Sequence, residues 1–284
     1  LSRNKERTGG AQQRDSSPPP QVMQGESTPF SFVVPTEFVE LPSGGKFYPD
    51  GHPLYGETTI EVKQMTAKEE DLLTSRSLLK KGVALDRLLK SIIINKNIDA
   101  NSLLIGDRNA ILISARVSGY GNDYQTKVTC PRCNTMQDYN FNLNDVCIYN
   151  GESITEEEAV SNGDGTFTAM LPKTKIEVIF RLLSGYDEKN LFNQIENARK
   201  KRKEENTITR QLKQIIVAVN GDETQKSINY LVENMPTIDA RHLRLVCKLA
   251  TPNVDLTQHF DCNECDYEQE MEVPLTADFF WPDR

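Results

Sequence analysis

The sequence predicts an α+β fold made of two similar lobes, and three observations carry that prediction. Strand-like and helix-like runs recur in the same order in both halves of the chain. The helical runs begin with a capping residue and nearby acids, Thr66 before Glu69-Glu70 and Ser184 before Asp187-Glu188. Each half then closes on a Cys-x-x-Cys flanked by strand-like segments.

Taken in order, residues 1–29 are rich in Ser, Pro, Gly, Gln and charge and carry Pro18-Pro19-Pro20. Such a composition buries too little apolar surface to offset its ordering entropy, so a flexible N-terminal arm is expected. The body starts at Phe30-Ser31-Phe32-Val33-Val34. Leu41 to Pro49 reads as a turn with aromatic anchors at Phe47 and Tyr48. Its Ser43-Gly44-Gly45-Lys46 lacks the spacing and the following helix of a phosphate loop.

Thr59-Ile60-Glu61-Val62 is echoed by Lys175-Ile176-Glu177-Val178. Leu78, Leu79, Val83, Leu85, Leu88 and Leu89 have helical apolar spacing. Leu88-Leu89-Lys90-Ser91-Ile92-Ile93 matches Gln211-Leu212-Lys213-Gln214-Ile215-Ile216, and Asp107-Arg108 has a counterpart at Asp239-Ala240. Matched positions (60 and 176, 90 and 213, 107 and 239, 130 and 262) lie at separations that never shrink, which points to internal duplication. Hairpin strands are expected at 125–129 and 136–141, and at 256–261 and 267–273. The first lobe then spans 30–149 and the second 166–284. The polar, glycine-bearing segment 150–165 is the linker between them.

Cys130-Pro131-Arg132-Cys133 and Cys262-Asn263-Glu264-Cys265 each supply half of a tetrahedral thiolate site. Asn134 and Asp266, which follow the second Cys of each pair, tolerate the left-handed turn of a knuckle. Cys130, Cys133, Cys262 and Cys265 are therefore expected to share one structural zinc ion, joining the lobes at a zinc-ribbon-like site. Neither pair has the strand-to-helix context of a redox motif. Bridged or metal-free cysteines are the remaining alternative. Cys247, whose counterpart is Ala115, and Cys147 read as inert packed residues, and His259 as a neighbour of Cys262.

The 284 residues carry a net charge of −8, and the run Arg199-Lys200-Lys201-Arg202-Lys203 is followed at once by Glu204-Glu205. Broad nucleic-acid binding needs a basic surface, so nucleic acid is not an expected partner. No signal peptide is expected from the charged first residues, and no run is long enough for a membrane span. Paired catalytic carboxylates and nucleophile–base arrangements are not readable, so no enzyme is expected.

Pro42 to Tyr48, Ile60-Glu61-Val62, Asp107-Arg108, Tyr120-Gly121 and Cys130-Pro131-Arg132-Cys133 together resemble the baseplate hub family of T-even-type contractile-tailed phages. The similarity covers roughly residues 36–145, and beyond them mainly the second knuckle and Phe279-Phe280-Trp281-Pro282. It implies a structural or assembly component of a tail baseplate, in the virion or in the host cytoplasm during assembly. Other tail proteins would be its partners, and no catalytic residues are implied. A zinc-ribbon module that binds nucleic acid is the alternative, but Lys127 and Arg132 alone do not make a basic face.

Overall fold

Two β-hairpins, each followed by a capped helix, organise the chain. The computed structural model describes residues 33–155, 157–273 and 277–280. The arm expected over 1–29 lies outside them, as do Phe30, Phe32 and Trp281. All elements belong to the unit Pro35–Arg284.

Strands β1 (Thr36–Glu40) and β2 (Thr59–Lys63) pair antiparallel and turn Val39, Ile60 and Val62 inward. Helix α1 (Ala67–Thr74) starts on a capping box: Glu69 Oε2 accepts the Thr66 N–H at 3.0 Å and the Thr66 hydroxyl at 2.5 Å. Its Oε1 accepts Lys63 Nζ at 2.7 Å and Ser91 Oγ at 2.5 Å. The residues Leu78 to Leu89, read as helical, lie on two helices, α2 (Arg76–Lys80) and α3 (Ala84–Ile92). Gly82 between them sits at φ 66°, where a side chain is strained and a Cβ would come within 2.8 Å of the Phe192 ring. Helix α3 buries Leu88, Leu89 and Ile92 completely. Helix α4 (Ile105–Tyr120) leads into the hairpin β3 (Asp123–Thr129) and β4 (Met136–Asn142), then β5 (Cys147–Tyr149).

The next stretch repeats much of this. Strand β6 (Val160–Ser161) pairs with β7 (Thr166–Met170), which pairs with β8 (Glu177–Arg181). Helix α5 (Gly185–Lys200) starts on Ser184, whose N–H and hydroxyl bond Asp187 Oδ2 at 2.9 and 2.8 Å. Arg181 grips Asp187 at 2.6 Å as Lys63 grips Glu69. Helix α6 (Thr207–Ile215), strand β9 (Ile216–Val219), α7 (Gln225–Asn234) and α8 (Thr237–Ala250) follow. Strand β10 (Asn253–Asp255) pairs with β5, and the hairpin β11 (Thr257–Asp261) and β12 (Glu268–Glu272) ends on a 3-10 turn, Ala277–Phe280.

Two details correct the sequence matching. Val62 bridges Ile93 while Phe180 pairs with Ile216, so by pairing Val62 stands where Phe180 does, two residues from Val178, with which the sequence matched it. The like pairs Leu41-Pro42 and Leu171-Pro172 also break the rising order of separations, because the turn at 41–58 is longer than that at 171–176.

The buried residues form two cores. One gathers Val62, Leu88, Ile111 and Phe141 together with Phe260, Val273, Phe279 and Phe280 from the other end of the chain. The other is built on Phe167, Phe180, Leu212 and Val246. The final hairpin therefore packs with the first core, because its partner hairpin β3–β4 is there. Residues 150–165, read as a linker, contribute strand β6 and the buried Ala159.

Glu69 gives a testable consequence. Burial raises its pKa, but hydrogen bonds from Lys63, Ser91 and Thr66 outweigh burial and hold it at about 2. Its stabilisation is present above the ordinary carboxylate pKa and is lost as pH falls through the folded value. Glu69→Gln is expected to cost about 2–3 kcal/mol at pH 7 and to flatten the acid limb of stability against pH. Urea denaturation from pH 2 to 7 measures both; an unchanged acid limb would reject the assignment.

Candidate metal centre

The tip of each Cys-x-x-Cys hairpin has the same backbone. The Cys130 N–H donates to the Thr135 carbonyl at 2.9 Å, and the Asn134 N–H donates to the Cys130 carbonyl at 2.9 Å. Cys262 N–H to Tyr267, at 2.9 Å, and Asp266 N–H to Cys262, at 3.2 Å, repeat the pattern. Asn134 and Asp266 stand at φ 61° and 50°, the left-handed conformation their residue types suggest.

Side chains fasten the hairpins side by side. Gln137 donates to the Asp261 carbonyl at 2.9 Å and accepts the Asn263 N–H at 3.0 Å. Tyr139 donates to Asp261 Oδ1 at 2.8 Å, and its ring lies 5.1 Å from that of Phe260. Gln258 exchanges bonds with the Asn142 main chain at 2.8 and 3.2 Å.

This clamp brings all four expected cysteines together. Their sulfurs lie within 4.8 Å of one another, with Cys130 to Cys265 at 3.8 Å and Cys133 to Cys262 at 3.6 Å. A disulfide would need about 2.05 Å. Four sulfurs about 2.3 Å from a tetrahedral centre are about 3.8 Å apart, so the donor set fits a metal ion. Cys130 and Cys262 are buried, while Cys133 and Cys265 lie nearer the surface.

Hydrogen bonds from the Thr135 hydroxyl and N–H bring the Cys133 thiol down to about 6. Burial, with hydrogen bonding to the other three sulfurs, raises Cys265 to about 12. Four thiolates this close require a cation to stay ionised together. The arrangement can thus hold one metal ion with no position left open for a substrate.

The sequence profile of the T4 bacteriophage base plate proteins matches residues 34–281. The chain belongs to that family. As a T4-type base plate protein it is a structural component by family, placed in the tail baseplate of the virion among other phage tail proteins. The resemblance read from the sequence therefore holds at the level of the family. No curated protein and no solved structure is significantly similar to the chain.

The other residues singled out in the sequence of this base plate protein stand apart from the cysteines. His259 is exposed and faces Glu270 at 3.6 Å, so it is not a partner of the cysteine cluster. Cys147 is exposed rather than packed, because β5 is a short strand near the surface. Cys247 is packed against the second core, and burial raises its thiol to about 12. It lines a cleft of about 510 Å³ with Arg181, Arg244 and Lys248, and no histidine is among the lining residues. Arg199 is paired with Glu196 and Glu205 on an exposed helix end, a solvated face. Among the described residues no helix is long and apolar enough to cross a membrane.

Sequence matching paired Asp107 with Asp239 but missed that both are buried acceptors. Asp107, the third residue of α4, accepts the Ser43 N–H at 3.0 Å and the Ser43 and Tyr48 hydroxyls at 2.7 Å. Asp239, the third residue of α8, accepts the Lys173 and Thr174 N–H groups at 2.7 and 3.1 Å. The signal was present as Leu41-Pro42 and Leu171-Pro172, each just ahead of the residues that bind the acid.

Proposed function

We propose that this base plate protein is a non-enzymatic, zinc-stapled component of the hub region, acting through protein–protein contacts. The observation that carries it is the convergence of four cysteine sulfurs at tetrahedral spacing in a chain of the baseplate family. Zinc is favoured because an all-thiolate tetrahedral site with no open position suits a structural ion. Assignment to the hub rests on the motifs from Pro42 to Cys133. A nucleic-acid-binding ribbon is disfavoured, since Asp138, Asp261, Glu264, Asp266, Glu268 and Glu270 outnumber Lys127 and Arg132 around the knuckles.

The same proposal holds that 30–149 and 166–284 are copies of one ancestral unit. Lys63–Glu69 and Arg181–Asp187, Val62–Ile93 and Phe180–Ile216, and the acids Asp107 and Asp239 support it. So does the metal centre. Replacing each cysteine by its counterpart turns the contact of Cys130 with Cys265 into that of Cys262 with Cys133, as a two-fold through the site requires.

Elemental analysis of the purified full chain, with mass spectrometry of isolated tails and tail-assembly intermediates, tests the proposal. One zinc per chain, and the chain present in those particles, are expected. Iron in place of zinc, or a folded chain without metal, would overturn the zinc assignment. Absence from tails and their intermediates would overturn the role.

A further inference from the structure

The two hairpins differ in one respect. In the sheet β6-β7-β8-β9 the outer edge of β7 is covered by β6, whereas the sheet β1-β2 has nothing on the outer edge of β1 among the described residues. The Gln64 N–H donates to the Pro35 carbonyl, and the Leu41 N–H donates to the Thr58 carbonyl. In an antiparallel ladder this assigns the main-chain groups of Glu37 and Val39 to β2. Those of Thr36, Phe38 and Glu40 then point away from it. On β7 the counterparts Thr166 and Thr168 turn the same way and meet β6: Thr168 is opposite Val160, and the Thr166 carbonyl accepts the Asn162 N–H at 3.0 Å.

The cover on β7 is a tight hairpin through Asn162-Gly163-Asp164-Gly165, with Gly163 and Gly165 at φ 80° and 84°. The four residues before β1 are Phe32-Val33-Val34-Pro35, without glycine and with two β-branched side chains. They cannot make that turn cheaply. Open edges are usually guarded by inward charges or short length. Strand β1 is short and its Glu37, on the inner face, accepts the Ser114 hydroxyl at 2.8 Å, yet its outer face carries Phe38, 72 % exposed, and it follows Val33, 83 % exposed. Glu40 and Glu61 share the outer face with Phe38, which adds negative charge beside an apolar side chain.

We propose that β1 is a docking edge that takes an extended strand from a neighbouring tail protein, apolar opposite Phe38 and basic opposite Glu40. The inference rests on the baseplate reading for the source of that strand. Main-chain bonds to Thr36, Phe38 and Glu40 supply the pairing, and the Phe38 and acidic side chains supply selection.

Residue-level amide hydrogen exchange on the full chain, free and within purified tails or tail intermediates, tests it. The Phe38 and Glu40 amides should exchange freely in the isolated monomer and at least tenfold more slowly in the particle. The Glu37 and Val39 amides should be protected in both. Phe38→Pro removes only an outward N–H and should abolish the added protection at Glu40, while Phe38→Thr, which keeps the N–H but loses the apolar side chain, should weaken it without abolishing it. Protection already present in the free full chain and lost on deleting 1–32 would assign the edge to the chain's own N-terminus and overturn the proposal. Protection that appears with self-association would overturn it in favour of a second copy. A chain present in particles with fast Phe38 and Glu40 amides would overturn this inference alone; absence from them would overturn the baseplate role as well.

Discussion

Cys130→Ser is expected to abolish metal retention and to lower the unfolding free energy by about 3–5 kcal/mol. Small zinc modules gain about 10–16 kcal/mol from their ion, but they have little else to fold around. Here Tyr139, Phe141 and Phe260 already pack beneath the hairpins, and Gln137 and Gln258 tie them together. The loss should therefore be a fraction of that figure. Chelation of the wild-type chain should give the same decrease, and a chelator should add nothing to the variant. Because the ligands are thiolates, metal binding releases protons and affinity rises with pH. Hydrogen bonds from Thr135 favour the Cys133 thiolate and burial disfavours that of Cys265, so the four sulfurs give up all their protons together only with the cation. Guanidinium denaturation with and without chelator is the measurement. Superimposable curves for the two wild-type samples would show that the fold does not depend on the site.

How much of this was legible depends on which physical signal each feature leaves. The convergence of the four cysteines was readable because residue type, spacing and the residue after each pair all follow from coordination and backbone sterics. The capping boxes at Thr66 and Ser184 were readable for the same local reason. Strand alignment was not. A displacement by two residues keeps every side chain on its face, so alternation alone cannot separate Ile176 from Val178 as the partner of Ile60. The helix break at Gly82 was hidden because Leu78 to Leu89 keep helical spacing on either side of it. Hydrophobicity also says that Phe260, Phe279 and Phe280 are buried without saying against what. They complete the first core rather than a second lobe. Phe279 and Phe280 are only 4 % and 6 % exposed.

That packing makes Arg116 the residue whose loss should rival loss of the metal. Its side chain is fully buried on α4, where an apolar residue would be expected, and its guanidinium forms no ion pair among the described residues. Its counterpart in α8, Lys248, is exposed. Three carbonyls from three places take the charge instead. Nη1 donates to Gly121 at 2.6 Å at the end of α4, Nη2 to Asp123 at 3.0 Å at the start of β3, and Nε to Phe279 at 2.5 Å. The cation also neutralises the negative end of the α4 dipole and lies 5.4 Å from the Tyr120 ring and 5.9 Å from that of Phe279. Burial lowers its pKa, as expected for a charge held by dipoles alone. Arg116→Ala would orphan three carbonyls and open a cavity beside Phe279, costing about 3–5 kcal/mol. Arg116→Lys should recover little of this, because an ammonium cannot spread over three acceptors in the plane of a fork. The loss should be coupled to the C-terminal turn: Phe279→Ala should cost less in the Arg116→Ala background than in the wild type, since both remove the same packing. Limited proteolysis should then cut after Val273 in Arg116→Ala under conditions where the wild type survives. If the two substitutions prove additive and the C-terminus stays resistant, Arg116 does not hold the final turn, and the bonds from Arg116 to Gly121 and Asp123 within the first core must account for whatever stability is lost.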